Sequence, residues 1–262
     1  DPRVVEAGDI AHLRQLGFNR ISLGVQDLDE KVQIAVNRVQ SLEATRTVIG
    51  DARLHGFRSI NLDLIYGLPH QTLQSFSNTL RHIIDLAPDR IALYNYAHLP
   101  HRFPPQRRIK GEDLPGSAAK LDILHSAIDQ LSAAGFDYIG MDHFARPDDE
   151  LAIAQRNRSL HRNFQGYSAH AQCDSIGFGV SAISQVHDNF SQNTSSLEDY
   201  HSCLEQGRLP VIRGYQSHDD DLLRREIIQQ LVCHFRLDTR QISRTWNIDF
   251  NHYFSAELER LT

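Results

Sequence analysis

The sequence predicts an α/β fold in which parallel strands alternate with helices. Three aliphatic runs of strand length, at residues 21–25, 60–65 and 91–96, are separated by stretches long enough for one crossover helix each. Gly17-Phe18 and Gly56-Phe57 precede the first two runs, and glycine is typical of the residue that ends a helix. This alternation favours a parallel sheet, either open or rolled into a barrel.

Each predicted strand has an aliphatic face and a polar face. Helices would cover the aliphatic faces, which leaves the polar faces as a solvated surface. Ligands of parallel α/β folds bind at the C-terminal ends of the strands, and Gln26, Asp63 and Tyr96 lie at or near these ends. An unpaired carboxylate is costly in an apolar strand. Asp63 therefore needs a partner or a ligand, and the alternative is a structural aspartate that caps neighbouring backbone.

Helical patterns occupy the connections between the strands. Ser41 is the predicted N-cap of a helix over residues 42–55, and Thr72 is predicted to start the next one. Further helices are predicted over residues 117–134, 197–206 and 219–235. The change in pattern near residue 147 predicts a sheet domain at residues 1–147 and a mostly helical domain at residues 148–262.

Two polar segments lie beside the predicted ligand surface. A basic, proline-rich loop follows the third strand and contains Arg107 and Arg108. Such a loop suits an anionic substrate, and an ordinary solvated loop is the alternative. A fourth strand-like run at residues 138–141 precedes Asp142 and Arg146. These two residues suit acid–base or ion-pair chemistry, or a purely structural hydrogen bond.

The composition excludes several classes of function. A net charge of −6 gives no reason to expect nucleic acid as a partner. No apolar run approaches the roughly 20 residues of a membrane span, so no membrane partner is expected. Cys173, Cys203 and Cys233 are odd in number and too far apart for a metal knuckle. They argue against a disulfide framework and predict a reducing, cytoplasmic location.

Six motifs resemble those of one enzyme family, in the same order along the chain. They lie at residues 20–27 (Arg-Ile-Ser-Leu-Gly-Val-Gln-Asp), 36–40 (Val-Asn-Arg-Val-Gln), 61–69 (Asn-Leu-Asp-Leu-Ile-Tyr-Gly-Leu-Pro), 94–100 (Tyr-Asn-Tyr-Ala-His-Leu-Pro), 140–150 (Gly-Met-Asp-His-Phe-Ala-Arg-Pro-Asp-Asp-Glu) and 161–167 (His-Arg-Asn-Phe-Gln-Gly-Tyr). The chain resembles oxygen-independent coproporphyrinogen III oxidase, also called coproporphyrinogen dehydrogenase, of the radical S-adenosylmethionine (SAM) superfamily. The resemblance covers essentially the whole chain.

The resemblance implies a partial (β/α)6 radical-SAM barrel followed by a mostly helical C-terminal domain. Residues 1–147 would form the second half of the barrel, with its last three strands, and residues 148–262 a truncated C-terminal region. The family's 4Fe-4S cluster is held by a Cys-x3-Cys-x2-Cys loop, which this sequence lacks. We therefore assign no metal ligand and no catalytic residue within the chain. Since the chain begins with Asp1 and ends inside a helical pattern, we expect an internal fragment that is inactive by itself.

Family residues transfer only where this sequence matches the motif. In similar enzymes, the positions of Gln26, Arg38 and Asp63 contact SAM, mainly the second of two SAM molecules. The positions of Ala97 and Ile183 contact the cluster-bound SAM. A guanidinium suits the carboxylate of SAM, and an aspartate suits a hydroxyl or ammonium group. The strand pattern alone points to Gln26 and Asp63, but it gives no reason to select Arg38.

The implied reaction converts coproporphyrinogen III to protoporphyrinogen IX in haem biosynthesis. The reduced cluster cleaves SAM, and the resulting radical removes a hydrogen atom from a propionate side chain. Loss of carbon dioxide and one electron leaves a vinyl group, at two propionates in turn. The protein supplies position and excludes water. We hypothesise that Arg107 and Arg108 receive the tetracarboxylate substrate; we expect a monomer, and the sequence does not identify the electron donor.

Two other functions remain as alternatives to the oxidase. The haem-chaperone-like branch of the superfamily shares the Gly-Val-Gln and Asp-Leu-Ile-Tyr-Gly motifs, which makes a haem carrier the main alternative. That branch usually differs at residues 37–40 and 141–145, and both places favour the oxidase. A generic metal-dependent hydrolase that uses the scattered histidines would need a His-x-His or carboxylated ligand set at a strand end, and the sequence has none.

Overall fold

The computed structural model describes residues 1–164, 166–171 and 173–261. The chain divides into two compact units, Asp1–Ile153 and Ala154–Thr262. Gln165, in the motif at residues 161–167, lies outside the described residues. Within the part of the chain that is described, no helix is long and apolar enough to cross a membrane.

The first unit alternates strands and helices along most of its length. Its strands are β1 (Arg20–Gln26), β2 (Ser59–Tyr66), β3 (Arg90–Asn95), β4 (Asp137–Gly140) and β5 (His143–Ala145). Its helices are α1 (Asp9–Gln15), α2 (Glu30–Ala35), α3 (Leu42–Leu54), α4 (Leu73–Asp85) and α5 (Ser117–Ala133), and α6 (Glu150–Arg156) begins at its end. Short 3-10 helices cover Pro2–Val4, Pro104–Arg108 and Gly111–Asp113.

The strands form one sheet in the order β1-β2-β3-β5-β4. β1, β2 and β3 are parallel neighbours, which confirms the prediction from the three aliphatic runs. β5 runs antiparallel to both β3 and β4. In the register of the first two strands, Gly24 lies opposite Asp63. Over the described residues the sheet stays open.

The aliphatic face of the sheet is the core of the first unit, as predicted. Leu62, Leu64 and Ile91 have no exposed surface, and each such side chain stabilises the fold by about 1.5–3 kcal/mol. The predicted helix starts are also confirmed. The Ser41 side chain accepts a hydrogen bond from the backbone N–H of Ala44 at the start of α3, and Thr72 caps α4.

The hairpin formed by β4 and β5 differs from the sequence-based expectation. Residues 142–146 were expected to follow a strand end, but His143–Ala145 forms a strand that returns beside β3. Arg146 donates to the carbonyl of Ala134 at 3.1 Å and lies over the Phe136 ring at 4.3 Å from its centroid. These contacts favour the structural alternative for Arg146, with its charge packed against an aromatic ring.

The second unit combines helices with small antiparallel sheets. Its helices are α7 (Leu197–Glu205), α8 (Asp219–His234), α9 (Thr239–Trp246), α10 (Phe250–Tyr253) and α11 (Ser255–Glu259). Its strands are β6 (His161–Asn163), β7 (Gly166–Ser168), β8 (Ile183–Val186), β9 (Asn189–Asn193) and β10 (Val211–Gln216). The two predicted helices, α7 and α8, are confirmed. The sheet β10-β9-β8 was not predicted, because β9 and β10 are short and carry mainly exposed or half-exposed residues without strict apolar alternation.

Candidate functional site

The residues predicted for the second SAM molecule surround Gly24 near the C-terminal end of β1. Asp63 lies across from Gly24 on β2. Arg38 reaches back from the turn after α2, and its Nη2 donates to the carbonyl of Gly24 at 2.7 Å. Gln26 follows two positions later, after an irregularity in the β1–β2 register. The fold therefore brings Gln26, Arg38 and Asp63 to one place.

Gly24 leaves the space in which these side chains meet. A Cβ atom at this position would lie 2.7 Å from Nε2 of Gln26 and 3.2 Å from Nη2 of Arg38. Any larger residue would therefore push both polar groups away. The absence of a side chain at Gly24 makes a small polar cradle, in which the amide of Gln26 and the guanidinium of Arg38 are neighbours.

Asp63 is held by two polar neighbours on the same face of the sheet. The Ser22 hydroxyl donates to its Oδ2 at 2.9 Å, and the Asn61 amide donates to its Oδ1 at 2.7 Å. Burial raises the pKa of Asp63, and these two hydrogen bonds only partly offset that effect. Oδ1 of Asn61 is buried without a hydrogen-bond partner. This group of side chains therefore offers a buried carboxylate and an unpartnered acceptor for a hydroxyl or ammonium group.

Arg38 is half-buried and already engages a carboxylate. Asn37 precedes it in a left-handed conformation (φ 54°), which turns the chain back after α2. Nη1 of Arg38 lies 3.2 Å from the Asp1 carboxylate, whereas its Nε is buried and has no partner. Burial lowers the pKa of this guanidinium. Because Arg38 lies between strands β1 and β2 in the sequence, the strand pattern alone could not select it.

A buried network behind the cradle escaped the sequence analysis. Asp27 is 2% exposed, and its carboxylate accepts hydrogen bonds from the Thr79 hydroxyl at 2.7 Å and from Nε2 of Gln71 at 2.5 Å. Oε1 of Gln71 in turn accepts from the backbone N–H of Gly67. The network ties the turn after β1 to the turn after β2. Its only sequence signal is an aspartate directly after a strand end.

Ala97 and Ile183 occupy strand ends in different units. Ala97 follows β3, and its carbonyl accepts a hydrogen bond from Nε2 of Gln106 at 3.1 Å. The backbone N–H of Tyr96 donates to the carbonyl of Tyr66 at 2.8 Å, which joins the ends of β2 and β3. Ile183 begins β8 in the second unit. Its carbonyl lies so close to Gly177 that a Cβ atom on Gly177 would be only 2.7 Å from it.

The two arginines predicted to receive substrate lie on an exposed 3-10 helix. Arg107 and Arg108 end the helix Pro104–Arg108, and both are exposed. Nε of Arg107 donates to the carbonyl of Pro100 at 3.3 Å. This position leaves their charges accessible to an anion in solution.

An iron–sulfur cluster does not fit the residues that the structure describes. Cys173, Cys203 and Cys233 are free thiols. Burial raises the pKa of Cys233 to about 11, which disfavours the thiolate that a metal needs. Among the described residues, no group of histidines, cysteines and carboxylates is arranged to hold a metal ion. The amino-acid part of SAM does fit the cradle, because Arg38 offers a guanidinium and Asn61 and Asp63 offer acceptors.

Comparisons with known proteins give the family. The model of the radical SAM superfamily matches residues 2–83. The oxygen-independent coproporphyrinogen III oxidase of Pseudomonas aeruginosa is 54% identical over 263 residues, which cover 99% of this chain and 57% of that protein. The chain thus spans little more than half the length of this relative. The corresponding Thermostichus vulcanus protein is 49% identical, over 99% of this chain and 80% of its own length.

A solved structure agrees with the sequence relatives. Coproporphyrinogen III oxidase from Escherichia coli, described as a radical SAM enzyme, superposes with a TM-score of 0.93 at 48% identity. The match covers 100% of this chain and 60% of that one. It confirms the predicted fold class, and these relatives give no support to the haem-carrier alternative. The chain belongs to the oxygen-independent coproporphyrinogen III oxidase family of the radical SAM superfamily.

Proposed function

We propose that the whole protein converts coproporphyrinogen III to protoporphyrinogen IX without oxygen. Each of two propionate side chains loses one hydrogen atom, one electron and carbon dioxide, and becomes a vinyl group. The observation that carries this proposal is the 49–54% identity to oxygen-independent coproporphyrinogen III oxidases over almost the whole chain. The Gly24 cradle supports it, because its donors and acceptors match the amino-acid part of SAM.

Two SAM molecules are part of the proposal. Arg38 would bind the carboxylate of the second SAM, and Asp63 would accept from its ammonium or hydroxyl groups, with the amide of Gln26 beside them. Ala97 and Ile183 would contact the first, cluster-bound SAM. When bound, SAM and the reduced cluster supply the radical chemistry. The residues of this chain hold and orient SAM and exclude water from it.

The cluster would be held by cysteines outside this chain. The family's cluster-binding spacing is missing from the sequence, and burial disfavours a thiolate at Cys233.

Arg107 and Arg108 would attract the tetracarboxylate substrate by charge, with the protein acting as a monomer. The test uses a longer protein that contains both this chain and the cluster-binding cysteines. Changing both arginines to alanine in this longer protein should raise the KM for coproporphyrinogen III and leave the KM for SAM unchanged. Unchanged kinetics would remove this role.

The function is tested by anaerobic turnover in the longer protein. After reconstitution with iron and sulfide, the protein is given SAM, a reductant and coproporphyrinogen III. We expect protoporphyrinogen IX, carbon dioxide and 5′-deoxyadenosine. Haem transfer without conversion of coproporphyrinogen III would contradict the proposal and favour a haem carrier.

A further inference from the structure

A cavity of about 340 Å³ in the second unit has no role in the site described above. One wall is a single face of α8, formed by Arg225, Ile228, Gln229 and Val232. The lining also includes Arg162 on β6 and Phe190 on β9. Its volume is in the range of small-molecule sites, and a mixture of apolar walls and a few polar groups is typical of them.

Contacts of its backbone with α8 and of its guanidinium with an aromatic ring hold Arg162 in the cavity lining. The backbone N–H of Arg162 donates to Oε1 of Gln229 at 2.9 Å, which joins β6 to α8. Its guanidinium carbon lies 5.5 Å from the centroid of the Tyr167 ring. The arginine is therefore held between a strand, a helix and an aromatic ring before any ligand arrives, which lowers the entropic cost of binding.

The described residues that line the cavity include two arginines and no carboxylate, so its charge is positive. Arg225 is paired with Asp188 at 3.0 Å, which leaves Arg162 as the stronger candidate for an external anion. Nε of Arg162 and Nη1 of Arg225 are both buried without a hydrogen-bond partner. Buried donors without an acceptor are unfavourable, so these two N–H groups point to an anionic ligand.

An aromatic pair forms the apolar part of the cavity. The rings of Phe164 and Phe190 pack edge to face, with their centroids 5.3 Å apart. Phe164 is 66% exposed, although it is a large apolar side chain. The same two rings also line an adjacent cavity of about 360 Å³, which includes Ile183 and Arg213. A ligand that covered the two phenylalanines would therefore reach an arginine on either side.

These features of the cavity fit a ligand that has an apolar ring system with carboxylates on its edge. A carboxylate satisfies two guanidinium N–H groups at once, and a pyrrole ring packs well against phenylalanine. A simple inorganic anion would use the arginines and leave the exposed phenylalanines unexplained.

We propose that this arginine–phenylalanine cavity binds a propionate-bearing pyrrole ring of the tetrapyrrole substrate. Arg162 would bind the propionate, and Phe164 and Phe190 would pack against the ring. The inference rests on the proposed function for the identity of the ligand. The arginines would then have two different roles. Arg107 and Arg108 would attract the substrate in solution, and Arg162 would bind it.

The test measures binding of coproporphyrin III, the stable oxidised form with the same propionates, to the 262-residue chain. Binding is followed by porphyrin fluorescence. Arg162→Gln should raise the Kd at least tenfold, because a charge-assisted hydrogen bond is lost. Arg162→Lys should recover part of the affinity, and Arg208→Gln, at an exposed arginine outside both cavities, should leave the Kd unchanged. Circular dichroism checks that each variant is folded.

The possible outcomes test binding in the cavity separately from the proposed enzymatic function. A parent chain that does not bind coproporphyrin III would overturn it, as would equal Kd values for the parent and the folded Arg162→Gln variant. Equal binding of the uncharged tetramethyl ester would also overturn it, because the arginines would then contribute nothing. Weaker binding by Arg162→Gln alone, in a protein whose longer form does not turn over coproporphyrinogen III, would support the cavity and reject the function.

Discussion

The carboxylate of Asp27 is the group whose replacement tests the architecture of the site most sharply. Its Oδ1 accepts from the Thr79 hydroxyl at 2.7 Å and from the backbone N–H of Asp29 at 2.8 Å. Its Oδ2 accepts from Gln71 at 2.5 Å. Asp27→Asn has nearly the same shape, but it replaces one acceptor by an NH2 group. In one orientation of the asparagine amide its NH2 group faces the N–H of Asp29, and in the other it faces the NH2 group of Gln71.

Gln71 cannot relieve this conflict by turning its amide over. Its Oε1 accepts from the backbone N–H groups of Gly67 at 2.5 Å and Leu68 at 3.3 Å, and a flipped amide would present NH2 to both. An unsatisfied buried donor costs about 1–3 kcal/mol, and relief from burying a charge offsets part of that cost. We therefore expect Asp27→Asn to lower the free energy of unfolding by about 2 kcal/mol.

Urea denaturation at neutral pH measures the effect of Asp27→Asn. The urea concentration at the midpoint should fall. The slope of the free energy of unfolding against urea concentration should stay the same, because the folded shape does not change. Asp122→Asn, at an exposed position of α5, is the matched control and should change the free energy of unfolding by less than about 0.5 kcal/mol. An Asp27→Asn variant as stable as this control would refute the proposed hydrogen-bond pattern.

The other predictions concern two glycines and one carboxylate. Gly24→Ala should weaken SAM binding in the longer protein about tenfold in calorimetry, since its Cβ would displace Gln26 and Arg38; Gly111→Ala, with no atom near its Cβ, should not, and equal effects would contradict the cradle. Gly50→Ala within α3 should raise the free energy of unfolding by about 0.5–1 kcal/mol in urea denaturation. Because burial raises the pKa of Asp63, its contribution to stability is full below about pH 3.9 and is lost as pH rises through the pKa in the folded chain. Asp63→Asn should therefore gain stability relative to the parent between pH 4 and pH 7, and a pH-independent difference would contradict the raised pKa.

The sequence predicts those parts of the fold that depend on periodic burial. Leu62 and Leu64 alternate with Asn61 and Asp63, so the strand and its two faces follow directly from the pattern. The same alternation places Asp63 on the polar face, which we expect to bind ligands. The N-cap residues Ser41 and Thr72 were predictable because their side chains act within one helical turn.

The remaining features depend on contacts between distant parts of the chain. The bond between Asp27 and Thr79 joins residues far apart in sequence, and neither residue type marks such a contact. Arg38 reaches Gly24 only because Asn37 adopts a left-handed conformation. The return of β5 beside β3 is a pairing choice that local propensity does not fix. Family resemblance supplied Arg38 where residue patterns did not.

The number of SAM molecules bound by the longer protein tests the central claim most directly. The protein is reconstituted anaerobically, and bound SAM is counted by equilibrium dialysis for the parent, for Arg38→Gln and for the exposed control Arg46→Gln. We expect two molecules for the parent and the control, and one for Arg38→Gln, because the guanidinium beside Gly24 would bind only the second SAM. Two molecules on Arg38→Gln with unchanged affinity would contradict the assignment of the Gly24 cradle to SAM.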